Sequence, residues 1–114
     1  MLAQKYRINR RLFDQTFTLG QFFGGSYFAA KVYKLEPSGL NSRFACVISK
    51  KNLKRGVDRN RLRRRVYGAI SPLLAKIHPG FAIIIIAKPT VLTMPFDKLT
   101  VEIENFLRLL KIYD

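Results

Sequence analysis

Apolar residues recur at spacings of three and four in three stretches of this chain, and each stretch predicts an amphipathic helix. The first helix covers 11–19 and ends at Gly20, a residue type that commonly stops helices. The second follows Asp58, its predicted N-cap, and its apolar stripe consists of Leu62, Val66, Ala69, Ile70 and Leu73. The third has an apolar face formed by Phe96, Leu99, Ile103, Phe106, Leu107 and Leu110.

Other stretches have the pattern of β-strands. Residues 27–35 alternate, which places Tyr27, Ala29, Lys31 and Tyr33 on one side and Phe28, Ala30 and Val32 on the other. Residues 81–87 are continuously apolar, which is typical of a central strand covered on both faces. Residues 43–49 predict a strand that pairs with 27–35 as an antiparallel hairpin, across a turn at 36–39.

The order of these elements predicts the architecture. The roughly 30 residues between 49 and 81 contain a helix, as a crossover between parallel strands requires. We therefore expect one domain over 1–114 with an α/β fold, more closely a single-domain α+β sandwich. Its mixed four-stranded sheet would carry helices mainly on one face, in the order α-β-β-β-α-β-α. Residues 1–10 are expected to form an irregular basic arm, and 21–26 a bend or loose strand.

Charge narrows the class of partner. The formal net charge of +14 implies a nucleic acid or an anionic membrane surface as the partner. No apolar run reaches the roughly 20 residues of a membrane span, and basic residues interrupt the N-terminus where a signal peptide needs an apolar core. We therefore expect a cytoplasmic protein with no membrane association. The single cysteine, Cys46, lies in an apolar strand pattern and is expected to be a buried thiol.

Positive charge is concentrated between residues 50 and 65, where nine basic residues accompany one acid, Asp58. A solvated basic helix face is the ordinary alternative, but the shortage of local partners favours a polyanion beside this stretch. The pattern of a protein active site is missing: the acids are scattered, and the lone His78 has no acid or second ligand near it in sequence. Because metal-dependent hydrolysis needs clustered carboxylates, we expect no catalytic or metal-binding residues in the protein.

Residues 59–64, RNRLRR, resemble the RNR signature of the bacterial ribonuclease P protein subunit, and residues 49–55, SKKNLKR, resemble the run that precedes it. The residues Phe13, Phe17 and Gly20 also have the spacing of that family's Phe-x-x-x-Phe-x-x-Gly pattern. The resemblance extends over nearly the whole chain. It departs at Tyr67 and Gly68, where the family usually has an Arg-Glu pair.

The resemblance implies a fold like the second domain of a small-subunit ribosomal protein, with a left-handed crossover through the RNR helix. It also implies two RNA-binding surfaces. The first would dock the catalytic RNA subunit mainly through phosphates, and consists of Lys50, Lys51, Lys54, Arg55, Arg59, Asn60, Arg61, Arg63 and Arg64. The second would be a cleft for the 5′ leader of precursor tRNA, and consists of Phe13, Phe17, Lys31 and Tyr33. The residue pattern alone instead favours a core position for the two phenylalanines.

The implied activity is that of a ribonucleoprotein endoribonuclease that removes the leader to give the mature tRNA 5′ end. The RNA subunit would hold the Mg²⁺ ions, and the protein would be a monomer within the complex. A non-catalytic ribosomal or RNA-chaperone protein needs only the same basic surface and is the main alternative. An autonomous nuclease would cleave with magnesium and without RNA. A DNA-binding helix would be expected to have a dimer interface, and no spare apolar stripe indicates one.

Overall fold

The structure, a computed structural model, describes residues 2–35, 40–48 and 53–113. Its elements are α1 (Arg10–Leu19), β1 (Gln21–Gly24), β2 (Phe28–Lys34), β3 (Arg43–Val47), α2 (Gly56–Ile70), β4 (Phe81–Ala87) and α3 (Phe96–Leu109). Short 3-10 helices cover Gln4–Tyr6, Ser71–Lys76 and Pro89–Leu92. The strands form one mixed sheet in the order β1-β2-β4-β3. The predicted single-domain α+β architecture and its element order are confirmed.

β4 lies in the middle of the sheet because its side chains are apolar toward both faces. Ile83 and Ile85 belong to the main core with α2 and α3, whereas Ala82 and Ile84 point to the opposite face, and all four are fully buried. β2 is antiparallel to β4, and β3 is parallel to it. The prediction of a central strand over 81–87, reached by a parallel crossover through a helix, is confirmed.

The predicted hairpin between 27–35 and 43–49 is wrong. β3 pairs in parallel with β4, with Phe44 opposite Ile83, and β4 separates it from β2. A strand that is apolar on both sides must be internal to avoid exposing one of them to water, so β4 takes the place between the two sequence neighbours. The predicted turn at 36–39 lies outside the described residues.

The N-terminal segment is more ordered than a loose arm. Leu2 is buried in the core, and Arg7 forms an isolated parallel bridge with Phe44 on the outer edge of β3. Farther along the same edge, the Cys46 N–H donates to Tyr67 Oη at 3.0 Å. The edge strand is therefore covered at two points, which limits pairing with another chain.

The helices lie on both faces of the sheet. α2 and α3 pack against each other and enclose the main core, to which they contribute Leu62, Val66, Ile103 and Leu107. α1 crosses β2 and β4 on the opposite face and covers it only in part. Among the described residues, no helix is long and apolar enough to cross a membrane.

α1 ends at the predicted residue but for a different reason. Gly20 has an extended backbone (φ −70°) rather than the left-handed conformation of many helix ends. A Cβ there would collide with the Thr16 carbonyl oxygen and lie 3.1 Å from that of Val32. Glycine is therefore needed because the backbone of the last turn of α1 and that of β2 both leave no room for a side chain at this point.

α2 begins before the predicted N-cap. Arg55 occupies the N-cap position and the helix starts at Gly56, so the assignment of Asp58 as N-cap is wrong. Asp58 lies in the first turn, where its carboxylate still suits the positive end of the helix. The predicted apolar stripe is confirmed at its four helical positions, Leu62, Val66, Ala69 and Ile70, which are all buried.

Two aromatic residues lie elsewhere than predicted. Phe96, assigned to the apolar face of the last helix, is 48% exposed, and its ring lies against α2, 3.8 Å from where a Cβ on Gly68 would be. Tyr27, assigned to the Lys31 side of the strand, precedes β2 and packs toward the main core. The Lys98 ammonium lies 5.3 Å from the centre of the Tyr27 ring.

Candidate nucleic-acid interface

The outer face of α2 carries an array of guanidinium groups. Burial of Leu62 and Val66 against the core leaves the opposite side of the helix to water, so that Arg61 and Arg64 are exposed and Arg63 is half-buried. No α2 carboxylate accompanies these three, since Asp58 is the only acid of the helix and lies in its first turn. The array therefore presents positive charge with little internal neutralisation, as phosphate binding requires.

Two further arginines of α2 bind the protein itself. Arg59 Nη1 donates to the carbonyl oxygens of Leu53 at 2.7 Å and Lys54 at 2.9 Å, which closes the turn that leads into the helix. Arg65 donates to the Met94 carbonyl and so joins α2 to the segment before α3. Arg59, which the sequence analysis placed in the docking surface, is thus half-buried and partly committed to the fold.

The remaining predicted docking residues surround the start of α2. Lys54 and Arg55 are exposed there. Arg55 Nε lies 3.9 Å from the Asp58 carboxylate, a distance and exposure at which an ion pair contributes little. Lys50 and Lys51 lie outside the described residues. The structure therefore places the described part of the predicted set along one side of α2 and at its N-terminal end.

A second surface lies on the opposite side of the sheet, on α1. The rings of Phe13 and Phe17 stack, with centroids 6.1 Å apart and planes at 12°. Phe17 is 50% exposed, and the Lys31 ammonium lies 5.8 Å from the centre of its ring. The core position favoured by the residue pattern is wrong for Phe17, because the fully buried Thr16 takes the sheet-facing position of α1. Both rings and a cation are thus available to a single-stranded nucleic acid.

Tyr33 and one residue that sequence reasoning missed complete this surface. Tyr33 is half-buried and lies two residues beyond Lys31 on the same face of β2. Phe22 lies directly opposite Lys31 in the β1–β2 register and is 58% exposed. The strand character of 21–24 offered a weak signal, but only the register shows which face Phe22 occupies. We call Phe13, Phe17, Phe22, Lys31 and Tyr33 the aromatic strip.

The structure agrees with the expected inertness of the thiol. Cys46 is buried on the core side of β3, and this burial raises the pKa of its thiol to about 12, slightly offset by the positive charge of Arg63. A thiol with so high a pKa stays protonated and unreactive near neutral pH. Across residues 2–35, 40–48 and 53–113, no group of three His, Cys, Asp or Glu side chains is arranged to hold a metal ion.

Known proteins resemble this chain in sequence and in fold. The ribonuclease P family model matches residues 2–111. The ribonuclease P protein component of Microcystis aeruginosa is 35% identical over 115 residues, covering 96% of this chain and 88% of that protein. The corresponding protein of a Synechococcus species is 34% identical over 114 residues, with coverage of 95% and 88%.

Solved structures show the same fold. The RNase P protein of Staphylococcus aureus matches with a TM-score of 0.80 at 21% identity, over 96% of this chain and 98% of that one. The RNase P protein of Thermotoga maritima matches with a TM-score of 0.77 at 24% identity, over 90% and 96%. Since the family model spans nearly all of the sequence and relatives above 30% identity match it almost end to end, this chain belongs to the ribonuclease P protein component family.

Proposed function

We propose that this chain is the protein component of a bacterial ribonuclease P, in which it binds both the catalytic RNA subunit and the 5′ leader of precursor tRNA. The observation that carries the proposal is the placement of two different nucleic-acid surfaces on opposite faces of one small sheet. The guanidinium array on α2 suits a folded RNA, whose phosphates are closely spaced. The aromatic strip by α1 suits a single strand, whose bases can stack on exposed rings.

Docking of the RNA subunit would depend mainly on Arg61, Arg63 and Arg64, with Lys54 and Arg55 at the start of α2. Contacts between guanidinium groups and phosphates fix the register of a protein on RNA and contribute most of the affinity. Lys50 and Lys51 would extend this surface. Arg59 would act chiefly by holding the segment that carries Lys54 against the helix, because its guanidinium already donates to two carbonyl groups there.

The leader would lie across the aromatic strip. Stacking on an aromatic ring is worth about 1–3 kcal/mol per base and tolerates any sequence. Because the mature product has lost its leader, this contact is made with substrate and not with product. It would also help to place the scissile phosphate in the catalytic centre, a positioning effect.

Hydrolysis would use Mg²⁺ held by the RNA subunit, since the described acids of the protein do not form a suitable group. The protein would supply binding and orientation as one copy in a cytoplasmic ribonucleoprotein. A ribosomal or RNA-chaperone role shares the basic surface but gives no reason for the exposed phenylalanines Phe17 and Phe22 beside Lys31.

The test is cleavage of a 5′-extended precursor tRNA at moderate magnesium concentration. The reaction would contain the protein alone, a bacterial ribonuclease P RNA alone, or both together. We expect cleavage only, or much faster cleavage, in the mixture. Cleavage by protein alone would indicate an autonomous nuclease. Salt-sensitive RNA binding without stimulation of cleavage would favour the ribosomal or chaperone function.

A further inference from the structure

A groove runs along the outer face of α2, within the surface proposed to dock RNA. Its volume is about 420 Å³, and it is lined by Val57, Asn60, Arg63, Arg64 and Tyr67. These residues recur at helical spacings of three and four, so they share one side of the helix. At 1.5 Å per residue the groove extends over roughly 15 Å, enough for a base and its sugar-phosphate.

The polar side chains of the groove offer donors. Arg63 Nη1 donates to Asn60 Oδ1 at 2.8 Å, which uses one of the two lone pairs of the amide oxygen. Asn60 still offers a ligand its NH₂ group and one oxygen lone pair, whereas the guanidinium of the exposed Arg64 only donates, so donors outnumber acceptors. No carboxylate lines the groove. A ligand that fits it therefore presents acceptors.

The ends of the groove are apolar, and one of them is rigid. Val57 is 63% exposed, although it belongs to a residue type that is usually buried. The Tyr67 ring is held in place because its hydroxyl accepts the Cys46 N–H of β3 at 3.0 Å. A phosphate group gains nothing from a valine or an aromatic wall, whereas a nucleobase packs against both.

We infer that this groove binds one unpaired guanine through the edge that carries O6 and N7. Guanine presents two adjacent acceptors there, which an arginine fork matches, whereas adenine presents N7 beside an NH₂ donor, which neither Arg63 nor Arg64 can accept and for which Asn60 Oδ1 has one remaining lone pair. Asn60 and the two arginines supply the donors, and Tyr67 and Val57 supply the apolar contacts. The inference rests on the proposed function only for the identity of the RNA, because the groove itself selects a base.

The base preference can be measured without the RNA subunit. Fluorescence anisotropy would compare nine-residue oligouridines in which the central base is guanine, adenine or 7-deazaguanine. We expect the guanine oligomer to bind about tenfold more tightly than the adenine oligomer, and the 7-deaza analogue to lose most of this advantage. Equal affinity of the wild type for guanine and adenine would overturn the inference.

Two matched variants test whether the preference for guanine comes from Asn60. Asn60→Asp keeps the acceptor for Arg63 but replaces the NH₂ donor by an oxygen, so the ratio of guanine to adenine affinity should fall to about one. Asn105→Asp introduces the same charge at an exposed position on α3 and should leave the ratio unchanged. A ratio that falls equally in both variants would place the preference elsewhere and overturn the inference.

Dimethyl sulfate, which methylates guanine N7, tests the groove in the complete ribonucleoprotein. The wild type should protect one guanine of the ribonuclease P RNA, and Val57→Glu should remove that protection, whereas Val101→Glu, at a similarly exposed valine of α3 (55%), should retain it. Tight RNA binding without a Val57-dependent protection would overturn the inference and leave the proposed function intact. Failure of the protein to bind the RNA subunit would refute the proposed function. The ratio of guanine to adenine affinity, measured with the oligonucleotides, would still show whether the groove prefers guanine.

Discussion

At the scale of single residues, the buried thiol of Cys46 makes the stability of the folded protein fall as the pH becomes alkaline. Burial raises the pKa of its thiol from an ordinary value of 9.0 to about 12 in the folded chain. The unfolded chain therefore releases the proton first as the pH rises. The folded state has its full stability below about pH 9 and loses the contribution progressively as the pH rises toward about 12.

This linkage predicts a difference between the wild type and Cys46→Ala in urea unfolding. Between about pH 8 and about pH 10.5, the free energy of unfolding of the wild type should fall by about 2 kcal/mol more than that of the variant. Lysines and tyrosines titrate in both proteins, so the comparison isolates the thiol. An equal fall in both would show that the thiol ionises in the folded chain as easily as in the unfolded one.

Phe22 should contribute to leader binding in the way that we propose for Phe17. Phe22→Ala should weaken binding of leader-bearing precursor tRNA to the ribonucleoprotein by about tenfold, the cost of one lost stacking contact. Binding of leaderless tRNA should not change. Phe96→Ala is the matched control, because Phe96 is similarly exposed (48% against 58%) but lies by α2. If both variants change leader discrimination equally, the aromatic strip is not the leader site.

The comparison of Phe17 with Phe22 shows what the sequence could predict of this site. Phe13 and Phe17 share a helix face by their spacing alone, and the family pattern placed that face at the surface. The face of Phe22 depends on its pairing with Lys31, a contact between two strands. A strand register is set by packing between elements, and a shift of one residue would turn Phe22 toward the core.

At the scale of secondary-structure elements, α2 contains arginines with two different physical roles. Arg64 is exposed on the docking face, whereas Arg59 donates to carbonyl groups of Leu53 and Lys54. Arg64→Ala should leave the free energy of unfolding unchanged and lower the salt dependence of RNA-subunit binding by about one unit of slope. Leader discrimination should remain. Filter binding over a range of salt concentrations measures the slope.

Arg59→Ala should instead destabilise the fold. Loss of two hydrogen bonds from a half-buried charged group is expected to cost about 1–2 kcal/mol in urea unfolding. RNA binding should weaken as well, because the segment that carries Lys54 is no longer held against the helix. Wild-type stability in Arg59→Ala would contradict this role.

The elements themselves were predictable where a pattern depends on the chain alone. The stripe of α2 and the continuous apolar run of β4 follow from periodicity, and both are confirmed. The start of α2 and the partner of β3 depend on competition between contacts. Asp58 is a good N-cap by type, yet Arg55 takes that position. β3 follows β2 in sequence, yet the two-sided apolar surface of β4 comes between them.

At the scale of the whole molecule, the sheet separates the two surfaces that we propose to bind RNA. α1 packs on one face, while α2 and α3 pack on the other, so the aromatic strip and the guanidinium array face different directions. The formal net charge of +14 would favour the approach of RNA to both. The fold class followed from the order of elements, but a left-handed crossover through α2 is implied only by the family resemblance and stays a prediction, since the default connection is right-handed.

This separation predicts that the losses of binding free energy caused by substitutions at the two surfaces are additive. When two residues share no partner and lie more than about 7–10 Å apart, the free-energy effects of substituting them usually add to within about 0.5 kcal/mol. The free energies lost in Arg64→Ala and in Phe17→Ala, measured for formation of the complex of protein, RNA subunit and precursor from its free components, should therefore sum in the double variant. Phe13→Ala with Phe17→Ala is the control, because those rings stack at 6.1 Å and should show coupling above that limit. Coupling between Arg64 and Phe17 as large as in the control would mean that the leader and the RNA subunit share one continuous site, and the division by the sheet would have no functional meaning.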